Sequence, residues 1–170
     1  VIAAGGSAPP SAPARTALSE EWDGSSWTEG KNMNTSRGQF GVAGTQTAAL
    51  FWGGITSPSP TGNRSIVHSE EYDGTSYTEG SNLPVVKEVM GCSGTQTAAL
   101  GGGGYNPSAS PGNITVTEYY NGTAWTSQPA ANPATYGGAS GGTQSATWMV
   151  AGIQQPPSPT KAVVEWDGSS

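Results

Sequence analysis

One histidine, one cysteine and twelve carboxylates are the side chains with which this 170-residue chain could do chemistry. A Ser/His/Asp relay has a single candidate base, His68. Its place in a repeated motif is taken elsewhere by Leu18, Val116 and Ala162, which marks an ordinary strand position. Cys92 aligns with Val42 and Ser140 and reads as a small buried residue; alone, it permits no internal disulfide. These counts exclude metal sites built from several His and Cys ligands, and no cofactor is expected. Nine of the twelve acidic residues, Glu20, Glu21, Asp23, Glu70, Glu71, Asp73, Glu118, Glu165 and Asp167, fall in one repeated strand-and-turn motif. A ring of oxygen ligands for Ca²⁺ is one reading. Ligands for one ion should converge from one loop, however, whereas these recur about 50 residues apart. Turn formation by Asp and edge-strand protection by Glu is therefore the reading adopted.

The rings repeat as well. Trp22, Tyr72, Tyr120 and Trp166 form one column, and Trp27, Tyr77 and Trp125 a second. Exposed, they would be sugar-stacking platforms. Recurring in every unit of a chain in which Val, Ile, Leu and Phe are only 21 of 170 residues, they read instead as the packing between units. Asp23-Gly-Ser-Ser-Trp27 lacks the residue that separates Asp from Gly in the sialidase Asp-box, so no glycosidase follows from it. The acceptor patterns at Asn34, Asn63, Asn113 and Asn121 are what chance yields in an Asn/Ser/Thr-rich chain.

Composition narrows the rest. With 26 Gly and 13 Pro the chain is no helical bundle. A net charge of −6 with six dispersed cations leaves no basic surface for phosphates, so nucleic acid is not an expected partner. The longest apolar stretches, near 48–52 and 148–151, are far below the ~20 residues of a membrane helix, and no membrane insertion is expected. No charged segment followed by an apolar run opens the sequence, so no secretion leader is read.

What positions these residues is a repeat. Ser19-Glu-Glu-Trp-Asp-Gly-Ser-Ser-Trp-Thr-Glu-Gly30 returns as Ser69-Glu-Glu-Tyr-Asp-Gly-Thr-Ser-Tyr-Thr-Glu-Gly80, then as Glu118-Tyr-Tyr-Asn-Gly-Thr-Ala-Trp-Thr126, and starts again at Glu165. Gly44-Thr-Gln-Thr-Ala-Ala-Leu50 returns as Gly94-Thr-Gln-Thr-Ala-Ala-Leu100 and Gly142-Thr-Gln-Ser-Ala-Thr-Trp148. One unit predicts four strands, at 38–43, 47–52, about 65–72 and 76–78. Gly44-Thr45-Gln46 should turn the first into the second, and Asp73-Gly74 should form a two-residue type I′ turn into the fourth. Such a sheet cannot bury both faces alone, so units must pack on one another; the fold class predicted is all-β, a propeller of four-stranded antiparallel blades.

Gly53-Gly54 with Tyr72 and Tyr77, and Gly103-Gly104 with Tyr120 and Trp125, resemble the kelch repeat, also seen in the central domain of galactose oxidase. Arg37 stands where an arginine commonly precedes the first kelch strand; Lys87 and Thr135 stand there in the next units, and Ala151-Gly152 replaces Gly-Gly in the last. The resemblance implies a propeller fold. The copper chemistry of galactose oxidase needs two histidines and a cysteine beside a tyrosine, and does not carry over. The Gly-Thr-Gln-Thr-Ala-Ala-Leu wording is similar to kelch-like repeats of marine bacteriophage structural proteins.

Val1 aligns with Ala49 and Ser170 with Ser26, which divides the chain into a partial blade 1–30 (strands 2–4), blades 31–80 and 81–127, and a partial blade 128–170 (strands 1–3). About three and a half blades fall short of the four to eight that close a propeller. A window of a longer chain is expected, rather than ring closure by several copies, since domains seldom begin inside a strand. The length-variable segments 7–13, 56–63, 106–112 and 154–160 should crowd one rim, with Pro58, Ser59, Pro60, Asn106, Pro107, Pro111, Gln155, Pro156 and Pro157 as candidate ligand contacts. The function expected is non-enzymatic: a structural or attachment module of an extracellular assembly or virion, such as a phage fibre. Its partners would be neighbouring blades or subunits of that assembly and a host-surface glycan or protein. The alternatives are an accessory propeller of a carbohydrate-active enzyme with catalysis elsewhere, and an intracellular kelch adaptor.

Overall fold

The computed structural model describes residues 1–7, 15–56, 64–154 and 158–169. Among them the structure is all strand, turn and loop. Strands β1 (Ile2–Ala4), β2 (Ser19–Trp22) and β3 (Trp27–Glu29) form a first sheet, and β4 (Gly41–Thr45), β5 (Ala48–Trp52), β6 (Ser69–Tyr72) and β7 (Tyr77–Glu79) a second. A third holds β8 (Gly91–Thr95), β9 (Ala98–Gly102), β10 (Thr117–Tyr120) and β11 (Trp125–Gln128). After β12 (Ala139–Thr143) and β13 (Ala146–Val150) come a short ribbon, β14 (Ile153–Gln154) and β15 (Ser158–Pro159), and then β16 (Val163–Trp166), which joins β12 and β13 in the fourth sheet. Every pairing is antiparallel and, within the four sheets, runs between strands consecutive in the motif.

Strand order matches the reading of the sequence; boundaries and turns differ. The third strand is shorter than expected, because Ser65 leaves the sheet to bridge Ile55 instead. The first hairpin turns at Gln46-Thr47, with Thr45 opposite Ala48, so Gly44 lies inside β4. Its φ of +113° is one that L side chains avoid, and a Cβ there would sit 2.2 Å from the Ala48 carbonyl oxygen. The Asp-Gly turn is a four-residue loop, because Tyr72 pairs with Tyr77. Only Gly74 takes a positive φ, while Asp73 Oδ1 accepts the amides of Thr75 and Ser76, both at 2.8 Å. The side chain supplies the geometry that a type I′ turn would have drawn from two left-handed residues.

Both faces of β5 are buried, and its alternation shows how the sheets pack. Ala49 and Phe51 face the first sheet in a cluster with Met33, Tyr72 and Tyr77, against which Ile2 and Ala4 pack. Leu50 and Trp52 face the third sheet in a cluster with Leu83, Met90, Ala99, Tyr120 and Trp125. The ring columns pair first within their own sheets: Trp22 with Trp27 at 5.5 Å, Tyr72 with Tyr77 at 4.6 Å, Tyr120 with Trp125 at 5.1 Å. Between sheets, the Trp52 ring meets Trp125 at 5.3 Å and covers Gly101, where a side chain would collide with it. Aromatic contact thus replaces much of the missing aliphatic core. Val89 N donates to Gln39 O and Gly137 N to Val89 O, each at 2.9 Å, which ties successive units together ahead of their first strands.

Candidate binding surface

The carboxylates of the repeated motif hold the structure together, some within a unit and some between sheets. Arg37, fully buried in the segment that leads into β4, reaches Glu70 on β6 of the same sheet: one guanidinium nitrogen lies 2.5 Å from Oε1, and another donates to the His68 carbonyl at 2.9 Å. The Asn34 and Thr35 amides donate to the same carboxylate at 2.7 and 3.1 Å. One unit later Lys87 repeats the reach to Glu118 at 2.6 Å and donates to the carbonyls of Gly101 and Val116. There Pro84 occupies the place of Asn34 and has no amide to offer, and Glu118 Oε1 is left without a hydrogen-bond partner. In the last unit Thr135 replaces the cation and Val164 the carboxylate, so the pair disappears as a pair. Burial lowers the proton affinity of both Arg37 and Lys87, which their carboxylate partners oppose.

A second set runs alongside. The Tyr72 hydroxyl donates to Glu21, Tyr120 to Glu71, and Trp166 Nε1 to the Tyr119 oxygen. Gln96 donates back to Ala49 O and Tyr72 O, and Gln144 to Ala99 O and Tyr120 O, at 2.7 to 3.3 Å. The reading of the Glu residues as edge protection is corrected here. β6 and β10 are interior strands; Glu70 and Glu118 are held by the cation ahead of their own unit's first strand, and Glu21 and Glu71 by a tyrosine of the next unit. The Asp residues do shape turns, as expected. Among the described residues no group of three His, Cys, Asp or Glu side chains is placed to hold a metal ion.

On this framework the variable loops leave from equivalent points. Ser7 bridges Arg15, Ile55 bridges Ser65, Tyr105 bridges Asn113, and Ile153 pairs with Pro159. Ile55, Tyr105 and Ile153 are each also bridged to the start of their own unit, at Gly38, Glu88 and Tyr136. Neighbouring loops touch: Asn113 Nδ2 donates to Ile153 O at 2.9 Å, and the Tyr105 and Tyr136 rings lie 5.5 Å apart. Between them is an open cleft of about 260 Å³ lined by Pro111, Asn113, Pro133, Ala134 and Gln154.

Of the predicted contacts, Pro111 lines that cleft, and Pro107 is exposed but does not line it. Asn106 is turned to another purpose, its Oδ1 accepting the Ser108 amide at 2.8 Å and its amide donating to Gly112 O, so it closes the loop on itself. Pro58, Ser59, Pro60, Gln155, Pro156 and Pro157 lie outside the described residues. The sequence reading missed Asn113 and Pro133; that Asn113 stands opposite the residue after Gly-Gly was the available signal. His68 is exposed and sits just ahead of β6, offering its carbonyl rather than its ring. Cys92 is half-buried on β8; its backbone is gripped by Ser140 Oγ at 2.7 and 2.9 Å, and burial pushes the thiol up to about 12.

No family model matches the chain, and no curated protein matches it. Among solved structures it is similar to that of YjhT, with a TM-score of 0.73 at 11% identity, over 89% of this chain and 49% of that one. The chain thus spans about half the length of that neighbour, and the likeness is one of fold.

Proposed function

We propose that these units are blades of a kelch-like β-propeller acting as a non-enzymatic attachment module of an extracellular assembly, such as a phage fibre. The observation that supports this reading is the division of labour within each unit. The repeated residues are spent on contacts within and between sheets, while chain length varies in loops that spring from equivalent bridges, two of which meet at the cleft lined by Pro111, Asn113 and Gln154. A rigid frame carrying variable, proline-bearing loops loses little entropy when it binds. The ligand class this suits is a host-surface glycan or a protein loop.

The test is binding of the chain to glycan and cell-surface panels, repeated with residues 106–112 replaced by a Gly/Ser loop of equal length. Saturable binding that the loop exchange abolishes without lowering the melting temperature is the expected result. Binding indifferent to the loop, or turnover of a bound sugar, contradicts the proposal.

A further inference from the structure

The cleft between the third and fourth units is built before any ligand arrives. Its walls, Pro111, Asn113, Pro133, Ala134 and Gln154, come from the loop after β9, the segment ahead of β12 and strand β14, all well inside the sequence. The loop is closed on itself: Asn106 N donates to Gly112 O at 2.8 Å, Ala109 N donates to Asn106 O at 3.1 Å, and the Tyr105 ring lies over Gly112, where a side chain would collide with it. Asn113 Nδ2, 2.9 Å from Ile153 O, fastens β14 of the neighbouring unit to that loop. At 5% exposure Asn113 is the most deeply buried of the five and forms the floor. With its Nδ2 committed, its Oδ1 has no hydrogen-bond partner. A buried acceptor without a donor is costly, so a ligand that brings it a hydrogen is bound for that reason.

Charge, backbone and size narrow the ligand. Among the described residues no ionisable side chain lines the cleft, so a charged ligand would be desolvated there without a counter-charge. Pro111 and Pro133 have no amide to offer, and Asn113 and Gln154 already pair with Tyr105 and Ser158, so an extended peptide cannot add here as a strand. The volume of about 260 Å³ is below the ~300–1,000 Å³ of pockets that enclose drug-sized ligands, which leaves room for one ring.

Resting on the reading that the rim loops attach to a surface ligand, we infer that this cleft seats one neutral sugar residue. A ring hydroxyl donates to Asn113 Oδ1, and the Gln154 side-chain amide, which can both donate and accept, takes a neighbouring hydroxyl. Pro111 and Pro133 supply apolar contact to the C–H groups of the ring.

The test titrates the intact chain, by saturation-transfer NMR, with the methyl glycosides of glucose, galactose, mannose and N-acetylglucosamine, with methyl glucuronide as the charged counterpart, and with a blocked trialanine peptide. One-site saturation by a neutral glycoside with Kd of about 10 mM or tighter is expected, with the glucuronide at least about tenfold weaker. Gln154→Ala should weaken that binding about tenfold at an unchanged melting temperature, and Asn113→Leu, similar in size but without an acceptor, should abolish it. Since Asn113→Leu also releases Ile153, its melt is recorded alongside, and Gln154→Ala decides the matter if that chain is destabilised. No saturation by any neutral glycoside at about 100 mM, equal binding to the Gln154→Ala chain, or tighter binding of the glucuronide or the peptide overturns the inference. Loop-dependent binding to a cell-surface panel would then leave the attachment reading standing, whereas no binding on any panel would remove both.

Discussion

The Tyr72 hydroxyl donates to the Glu21 carboxylate across 51 positions of sequence, from the third strand of one unit to the third strand of the unit before. That bond, with a second from Gln46 Nε2 at 2.9 Å, holds Glu21 below its ordinary value of 4.5. Backbone amides of the turns hold Asp23 and Asp73 below 3.8 in the same way. A carboxyl whose pKa is depressed by folding contributes stability that is complete above its unfolded value and lost as pH falls through the folded one.

Acid should therefore loosen the units from about pH 4.5 downward, while stability stays level through neutrality. Thermal melts between pH 7 and 2.5 check this. Tyr72→Phe should cost about 1 kcal/mol at pH 7 and flatten the acid slope, because protonated Glu21 then loses no partner. An acid slope that Tyr72→Phe leaves unchanged would show that the Glu21 contact contributes nothing.

Val89 carries backbone strain, with φ at +54°, a region a β-branched residue avoids. Gln39 takes the equivalent position at +59° and Gly137 at +71°, so glycine is already accepted there. Val89→Gly should be neutral to about 1 kcal/mol more stable despite the entropy glycine adds to the unfolded chain, and more stable than Val89→Ala. Denaturant titration of the three proteins decides it, and a glycine variant weaker than the alanine one would mean that the Val89 side chain outweighs the strain.

Cys92 should resist alkylation. Desolvation keeps its thiol protonated well above physiological pH, and only the thiolate is a good nucleophile. Iodoacetamide at pH 8 should label the native chain at least about tenfold more slowly than the unfolded one. Equal rates would place the thiol in solvent.

How far the sequence foretold this can be judged residue by residue. Strand identity and order were legible from the Asp-Gly and Gly-Gly punctuation, which recurs at a period that local chemistry dictates. The four-residue turn was not, because Asp73 closes it with its side chain, which a count of left-handed residues ignores. The ion pairs were missed for a different reason: Arg37 lies ahead of its unit's first strand and Glu70 on the third, and aligning the units places each in a column of its own. The signal was nevertheless present in two columns read together, since Arg37 accompanies Glu70, Lys87 accompanies Glu118, and Thr135 accompanies Val164. Of the rim, loop position was legible and loop contact was not; Asn106 looked available and is consumed by its own loop.

A cation buried ahead of the first strand of a unit is locked to the carboxylate on that unit's third strand, and Lys87 with Glu118 tests this central claim most directly. Removing one partner strands a charge with no solvent, so Lys87→Thr or Glu118→Val alone should cost about 3–5 kcal/mol. Replacing both installs the Thr135/Val164 arrangement that the last unit already uses, and the double variant should recover to within about 1 kcal/mol of the original, giving a coupling of several kcal/mol in a double-mutant cycle. Single and double variants whose losses simply add would contradict the claim.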